Sequence, residues 1–292
     1  MKTLLITGAS GYLGWHLSQI AQSTWQVHGT YCSQPLAIPG ATLHPVDLTQ
    51  PADLSTFLDE LRPDAVIHAA AQSKLNRCEE APEASYEINV IATELLANHC
   101  AKAGIPAVFT STDQVFDGTA APYDEQATPN PVNRYGRQKL EAERRFLAAH
   151  PGGVVCRLPL MFGGPTPNAH CFLQDFVAQM RQGQPIQLFI DEYRTPAHIE
   201  DAARGLLLAV EKGQGVLHLG GQERLNRYQF GLLMAEIFDL PKALMQCCAQ
   251  RDVPMAALRP ADVSLVSERA FAMGYTPRSI AVALAAVASS AS

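Results

Sequence analysis

Charge is scarce in this chain. Only 17% of its 292 residues are charged, neither sign forms a long run, and the formal net charge is -6. A nucleic-acid partner or an anionic membrane surface is therefore not expected, since both call for a concentrated basic face. No apolar run reaches the roughly 18 residues of a membrane span, and Met1-Lys2 leads straight into a predicted strand. A cytoplasmic location is the expectation. The sequence has no CxxC and no internal repeat. Its seven cysteines (Cys32, Cys78, Cys100, Cys156, Cys171, Cys247 and Cys248) are odd in number and irregularly spaced, so reduced thiols are expected. The nine histidines are scattered, with no i, i+4 pair, and no metal site is expected. His68, His198 and His218 lie in or beside apolar segments and read as core histidines. Glu79-Glu80 reads as a solvated helix end rather than a Mg²⁺ ligand pair.

Against these absences stands a hydrophobic content of 47%, enough for a substantial core. Short β-branched runs alternate with helical stretches through the first half. Strands are predicted over residues 3–7, 26–31, 42–46, 65–69, 107–111 and 154–158. Helices are predicted over 12–22, 52–61, 83–103 and 133–149. This βαβα order predicts an α/β fold, a Rossmann-type doubly wound parallel sheet. After Pro159 the rhythm becomes mainly helical. The expected division is a nucleotide-binding domain over residues 1–159 and a smaller substrate-binding region over 160–292, interleaved with it.

Thr7-Gly8-Ala9-Ser10-Gly11-Tyr12-Leu13-Gly14 follows the first strand and opens the first helix. Glycine lets backbone approach a pyrophosphate closely, and a helix N-terminus offers free N–H donors. Gly8, Ser10, Gly11, Tyr12, Leu13 and Gly14 are the expected phosphate cradle. Thr30 and Ser33 end the second strand, and Asp47-Leu48 follow the third. Ala69-Ala70-Ala71 end the fourth with room for a cofactor. Ligands in such sheets bind at these strand ends.

Tyr135-Gly136-Arg137-Gln138-Lys139 begins a predicted helix, so the phenol and the ammonium share one face. A cation beside a phenol favours the phenolate and should lower its pKa. Thr110-Ser111-Thr112-Asp113 ends the strand before it and supplies a hydroxyl. Together these groups can protonate a carbonyl oxygen as hydride reaches its carbon. Asp113 and Asp117 are expected to tie down their own turn.

With these segments in view, the whole chain resembles the extended short-chain dehydrogenase/reductases. More narrowly it resembles the dTDP-4-dehydrorhamnose reductase branch, which includes the regulatory β subunit of methionine adenosyltransferase. The carrying stretches are residues 7–14, Ser111-Thr112-Asp113-Gln114-Val115-Phe116-Asp117-Gly118, 131–143, 157–163, 191–203 and Arg259-Pro260 with 263–265. The resemblance implies Thr112, Tyr135 and Lys139 as the catalytic set, with Lys139 also a ribose ligand. It implies Asn89 as a brace, and Leu160, within residues 159–161, beside the nicotinamide. Two positions depart from the branch. Gln114 stands where an aromatic residue is frequent, and Arg194-Thr195-Pro196 replaces Gly-Thr-Pro.

The expected activity is NAD(P)H-dependent reduction of a nucleotide-linked 4-keto sugar, with Arg194 touching the substrate. A sugar-nucleotide epimerase or dehydratase holding NAD tightly is one alternative. A cofactor-binding regulatory subunit is another. No carboxylate ends the second strand and no lysine or arginine lies between Lys2 and Arg62, so NADP(H) is expected to be preferred with NAD(H) also used. A small-molecule substrate is the expected partner, and a homodimer is compatible with it.

Overall fold

Runs such as Leu4-Leu5-Ile6 and Ala65-Val66-Ile67 carry no apolar–polar alternation, which fits strands covered on both faces. The computed structural model, which describes residues 1–33 and 36–290, places them in a seven-stranded parallel sheet. Its strands are β1 (Lys2–Thr7), β2 (Trp25–Tyr31), β3 (Ala41–Pro45), β4 (Ala65–His68), β5 (Ala107–Thr112), β6 (Val154–Leu158) and a last strand, Gly215–His218. Across the sheet the order is Gly215–His218, β6, β5, β4, β1, β2, β3. Winding reverses between β1 and β4, which opens a crevice beyond their carboxyl ends.

Helices α1 (Tyr12–Ala21), α2 (Pro51–Leu61), α3 (Leu75–Glu80), α4 (Pro82–Tyr86), α5 (Ala92–Ala103) and α6 (Arg134–Ala149) connect the first six strands. On one face, Leu54 and Leu58 of α2, Leu96 and Ala97 of α5 and Phe146 of α6 pack on Leu5, Val66 and Phe109. On the other, Leu17 of α1 packs on Leu4, Ile6 and Ile67. Full burial of each such leucine or isoleucine is worth about 1.5–3 kcal/mol.

The stretch read as one helix over residues 83–103 is not uniform. Between α4 and α5 the backbone widens into a π-turn, Glu87–Ile91, with Asn89 buried inside it. Such turns admit one extra residue and recur at functional sites. Here the extra residue lets the Asn89 amide reach Gln72 and Gln138. Of helix α3 only the acidic end at Glu79-Glu80 was anticipated, because its six residues are too short to show a period.

Beyond β6 the chain forms α7 (Phe172–Arg181), α8 (Ile199–Lys212), α9 (Arg227–Ile237), α10 (Glu268–Met273) and α11 (Ile280–Ser290). Helix α8 returns to the first region, where Ala202, Ala203 and Leu206 join the core of Leu4 and Ile6. Its following strand completes the sheet beside β6. The second region keeps a core of its own, with Phe162, Leu173, Ile186, Leu188, Phe230 and Met234 at its centre. It also holds a parallel pair, Ile186–Phe189 with Met245–Cys248, that the helical reading did not anticipate. Among the described residues no helix is long and apolar enough to cross a membrane.

Candidate active site

A cleft of about 1020 Å³ lies over the carboxyl ends of β1, β2, β4, β5 and β6. Gly8, Ser10, Gly11, Tyr12, Leu13, Gly14, Thr30, Ser33, Asp47, Leu48, Ala69, Ala70, Ala71, Thr112, Tyr135, Lys139, Leu160 and Arg194 all line it. The positions singled out in the sequence thus share one cavity, although they are spread over more than half the chain. Among the described residues no group of three or more His, Cys, Asp or Glu is placed to hold a metal ion.

The glycine loop is shaped by close approach. Gly8 has a φ of +67°, where a side chain would be strained, and an added Cβ would stand 2.7 Å from Ala70 Cα. At Gly14 an added Cβ would lie 2.2 Å from the Gly8 carbonyl oxygen, so glycine alone lets α1 start this near the loop. Gly11 caps α1 without any side-chain hydrogen bond to the first turn. The amides of Tyr12, Leu13 and Gly14 have no acceptor within the helix and meet the cleft. This cradle fits a dinucleotide pyrophosphate. At the far side Thr30 Oγ1 accepts from Gly8 N at 3.4 Å, and Asp47 Oδ1 is held by Thr49 N at 3.0 Å and Thr49 Oγ1 at 2.7 Å. Ser33 sits exposed on the rim.

Helix α6 presents Tyr135 and Lys139 into the cleft. Its N-cap, Asn133, accepts from Gly136 N at 2.8 Å and donates to Gln114 Oε1 at 3.2 Å. A Cβ on Gly136 would lie 2.2 Å from the Gln114 carbonyl, so this glycine brings α6 against the end of β5. There Thr112 Oγ1 accepts from Gln114 N at 3.2 Å and donates to Asp113 Oδ1 at 3.2 Å. Thr112 and Tyr135 line the same part of the cleft.

The electrostatics differ from the simple expectation of a phenol acidified by its lysine. Burial raises the Tyr135 pKa well above 10, reinforced by Cys78 and Asp113 and opposed by Thr112. Burial also pushes Lys139 down to about 7, against the pull of Glu143. Desolvation is the largest influence on both groups, so the phenol is held in its protonated, donor form. Lys139 Nζ lies 3.9 Å over the Phe109 ring. One turn on, Glu143 accepts from Arg157 Nε at 3.0 Å and Nη2 at 2.8 Å, both side chains 4% exposed.

Some functional neighbours were not legible in advance. Gln138, inside the Tyr–Lys stretch, accepts from Asn89 Nδ2 at 2.9 Å and donates to Ser85 Oγ at 2.8 Å. The same asparagine accepts from Gln72 N at 2.9 Å, so α6 is tied to the segment after Ala71. Glu192 and Arg227 close the other end of the cleft, 2.8 Å apart. The polar run Asp191–Thr195 was the only signal for Glu192. Arg194 is buried rather than at the surface, and donates to the carbonyls of Tyr193 at 2.6 Å and Pro260 at 3.2 Å. Asp117 ties down its turn through Thr119 N at 3.0 Å, and Asp113 does so through Thr112 Oγ1 at 3.2 Å and Gln114 Nε2 at 3.3 Å while also facing Arg194 at 3.6 Å. His68 bridges Thr7 and Thr93, and His218 contacts the Val266 carbonyl, as core histidines do. Glu79 is bound to Arg134 N at 2.8 Å and Arg134 Nε at 3.2 Å.

The family profile of the RmlD substrate binding domain matches residues 1–291. The chain belongs to that family, a branch of the extended short-chain dehydrogenase/reductases. It is similar to methionine adenosyltransferase 2 subunit beta of Xenopus laevis, 31% identical over 288 residues, which is 95% of this chain and 84% of that one. A probable low-salt glycan biosynthesis reductase of Haloferax volcanii is 31% identical over 260 residues, 87% of this chain and 86% of its own. Among solved structures, a dTDP-4-dehydrorhamnose reductase of Clostridium acetobutylicum superposes with a TM-score of 0.87 at 25% identity, covering 99% of both chains. Other structures with this fold are complexes with NADP or with NAD.

Proposed function

We propose that this RmlD-family protein is an NAD(P)H-dependent reductase of a ketone, and that the ketone is a nucleotide-linked 4-keto sugar of the dTDP-4-dehydrorhamnose type. The observation that carries this is the convergence of Thr112, Tyr135 and Lys139 in the cleft whose other half is the glycine cradle. The backbone amides of residues 12–14 would hold the pyrophosphate. Thr30, Ser33, Asp47 and Leu48 would surround the adenosine, and Ala69–Ala71 with Leu160 would leave space for the nicotinamide. When bound, the dinucleotide supplies the hydride. Thr112 orients the substrate oxygen, and Tyr135, protonated at neutral pH, delivers its proton to that oxygen. Lys139 stabilises the phenolate left behind and contacts the ribose.

Arg194 belongs to the substrate end of the cleft, with Asp113, Glu192 and Arg227. Beside it a second cavity is lined by Lys74, Arg77, Glu80 and Arg259; Arg77 is paired with Glu80 at 3.2 Å, and Lys74 and Arg259 are the cations suited to the nucleotide diphosphate. Among the described residues around Thr30 and Ser33 that line the cleft there is no cation to clamp a 2′-phosphate, so discrimination between cofactors is weak, and the hydroxyls of Thr30 and Ser33 as donors give the lean to NADPH. We place this activity in the cytoplasm. The test is a panel of nucleotide 4-keto sugars with NADPH, followed by loss of reduced-cofactor absorbance. Consumption of one of them supports the reading. Silence across the panel, with a stable hetero-oligomer on purification, favours the regulatory role that the similarity to a methionine adenosyltransferase subunit raises. NAD retained stoichiometrically through purification favours an epimerase instead.

A further inference from the structure

The substrate end of the cleft is walled by Asp113 and Gln114 from β5's end and by Glu192, Arg194 and Arg227 from the second region. Its hydrogen bonding is incomplete in a specific way. Glu192 Oε1 accepts from Arg227 Nε at 2.8 Å, but Oε2 has no donor. Asp113 Oδ1 takes Thr112 Oγ1 at 3.2 Å and Gln114 Nε2 at 3.3 Å, whereas Oδ2 accepts no hydrogen bond and has only Arg194 Nε at 3.6 Å. Arg194 lies between the two carboxylates, 3.6 Å from each, and directs its bonds to main-chain carbonyls instead. Asp113 is 3% exposed and Glu192 1%. An acceptor buried without a donor is unfavourable, and more so when charged. Two in one cluster, in the wall of a cavity, mark a surface completed by something other than the fold.

The chemistry of that something follows from donor count. Two carboxylates face Arg194 and Arg227, with Arg259 a third cation acting on the same cluster, so the unmatched oxygens rather than the net charge select the ligand. A phosphate brings only acceptors and would leave both oxygens unmatched. A sugar ring brings neutral hydroxyl groups, each a donor. Arg227 stacks over Phe172, its carbon 4.8 Å from the ring centroid, which keeps the Glu192 partner in place.

We propose that Glu192 is a specificity-determining residue, accepting a hydroxyl of the substrate's glycosyl ring through its unmatched oxygen. Asp113 is the second acceptor, beside Thr112, and Arg194 positions the pair. The inference rests on the reading of the site as one for a sugar nucleotide, and it assigns the glycosyl group rather than the diphosphate to this end.

The experiment measures binding by calorimetry to the full chain with NADP⁺, so that no turnover intervenes. The probes are dTDP, dTDP-glucose, dTDP-linked 6-deoxyhexoses and dTDP-glucose deoxygenated at single ring positions. Wild type should bind at least one dTDP-hexose about tenfold tighter than dTDP, and removal of one hydroxyl should erase that gain. Glu192→Gln should bind the hexose and its deoxygenated analogue alike, with dTDP affinity changed by less than about twofold. Glu192→Asp, which keeps the carboxylate, should retain part of the hydroxyl dependence and serves equally if the glutamine variant misfolds. Equal sensitivity to deoxygenation in wild type and both variants overturns the proposal, as does equal loss of dTDP and hexose binding. Failure of every nucleotide to bind wild type overturns the sugar-nucleotide reading, and this inference with it.

Discussion

Replacing Lys139 by methionine should stabilise the cofactor-free protein while abolishing its turnover. The lysine is 1% exposed, its ammonium lies over the Phe109 ring, and burial lowers its pKa from 10.5 to about 7 despite Glu143. In the unfolded chain the same amine titrates near 10.4. From about pH 7 to about pH 10 the unfolded chain therefore holds a proton that the folded chain has released. Wild-type stability should rise with pH through that window, approaching about 1.4 kcal/mol per pH unit, and this contribution should be flat below it. Methionine has a similar length and no charge, so the variant should lose this slope. The fall from 10.5 to about 7 sets a ceiling of about 5 kcal/mol on the gain at neutral pH. Relaxation around the ammonium and water entry bring the expected gain to about 1–3 kcal/mol. Urea unfolding of both proteins from about pH 6.5 to about pH 9.5 measures it. Parallel pH profiles, or a variant less stable than wild type at neutral pH, would refute the reasoning.

Tyr135→Phe should leave cofactor affinity unchanged and lower turnover by at least about a hundredfold, as a positioned proton donor is lost; comparable steady-state turnover would remove this residue from the mechanism. Arg157→Met should cost about 3–5 kcal/mol in chemical denaturation, because Glu143 is left buried without its cation. Adding Glu143→Leu should recover most of that loss, and a single-variant cost under about 1 kcal/mol would contradict the account. Gly14→Ala should cost about 1–3 kcal/mol through overpacking against the Gly8 carbonyl and weaken NADPH binding in a fluorescence titration. Wild-type affinity in that variant would mean the loop can shift freely. NADPH should be used at least as well as NADH in steady-state kinetics, and a preference for NADH of about tenfold or more would show the second strand's end was misread.

Much of this protein was written locally. Unbroken apolar runs demanded strands buried on both faces, and their alternation with helices determined a parallel sheet. Gly8, Gly11 and Gly14 marked the first strand-to-helix turn; at Gly8 a φ of +67° strains a side chain, and at Gly8 and Gly14 a Cβ would collide with neighbouring backbone. Tyr135 and Lys139 were legible because four residues is one helical turn. What tertiary structure alone decided are the properties that depend on which distant segments meet. The π-turn at Asn89 exists because its amide finds Gln72 and Gln138, partners 17 and 49 residues away. Protonation at Tyr135 and Lys139 follows desolvation by the surrounding core, which no spacing rule expresses, and it reverses the expectation drawn from adjacency. Glu192 is an unremarkable acid in a polar run until the fold buries it against Arg227 and opposite Asp113. Its unmatched oxygen is a consequence of burial, and burial is set by the whole chain.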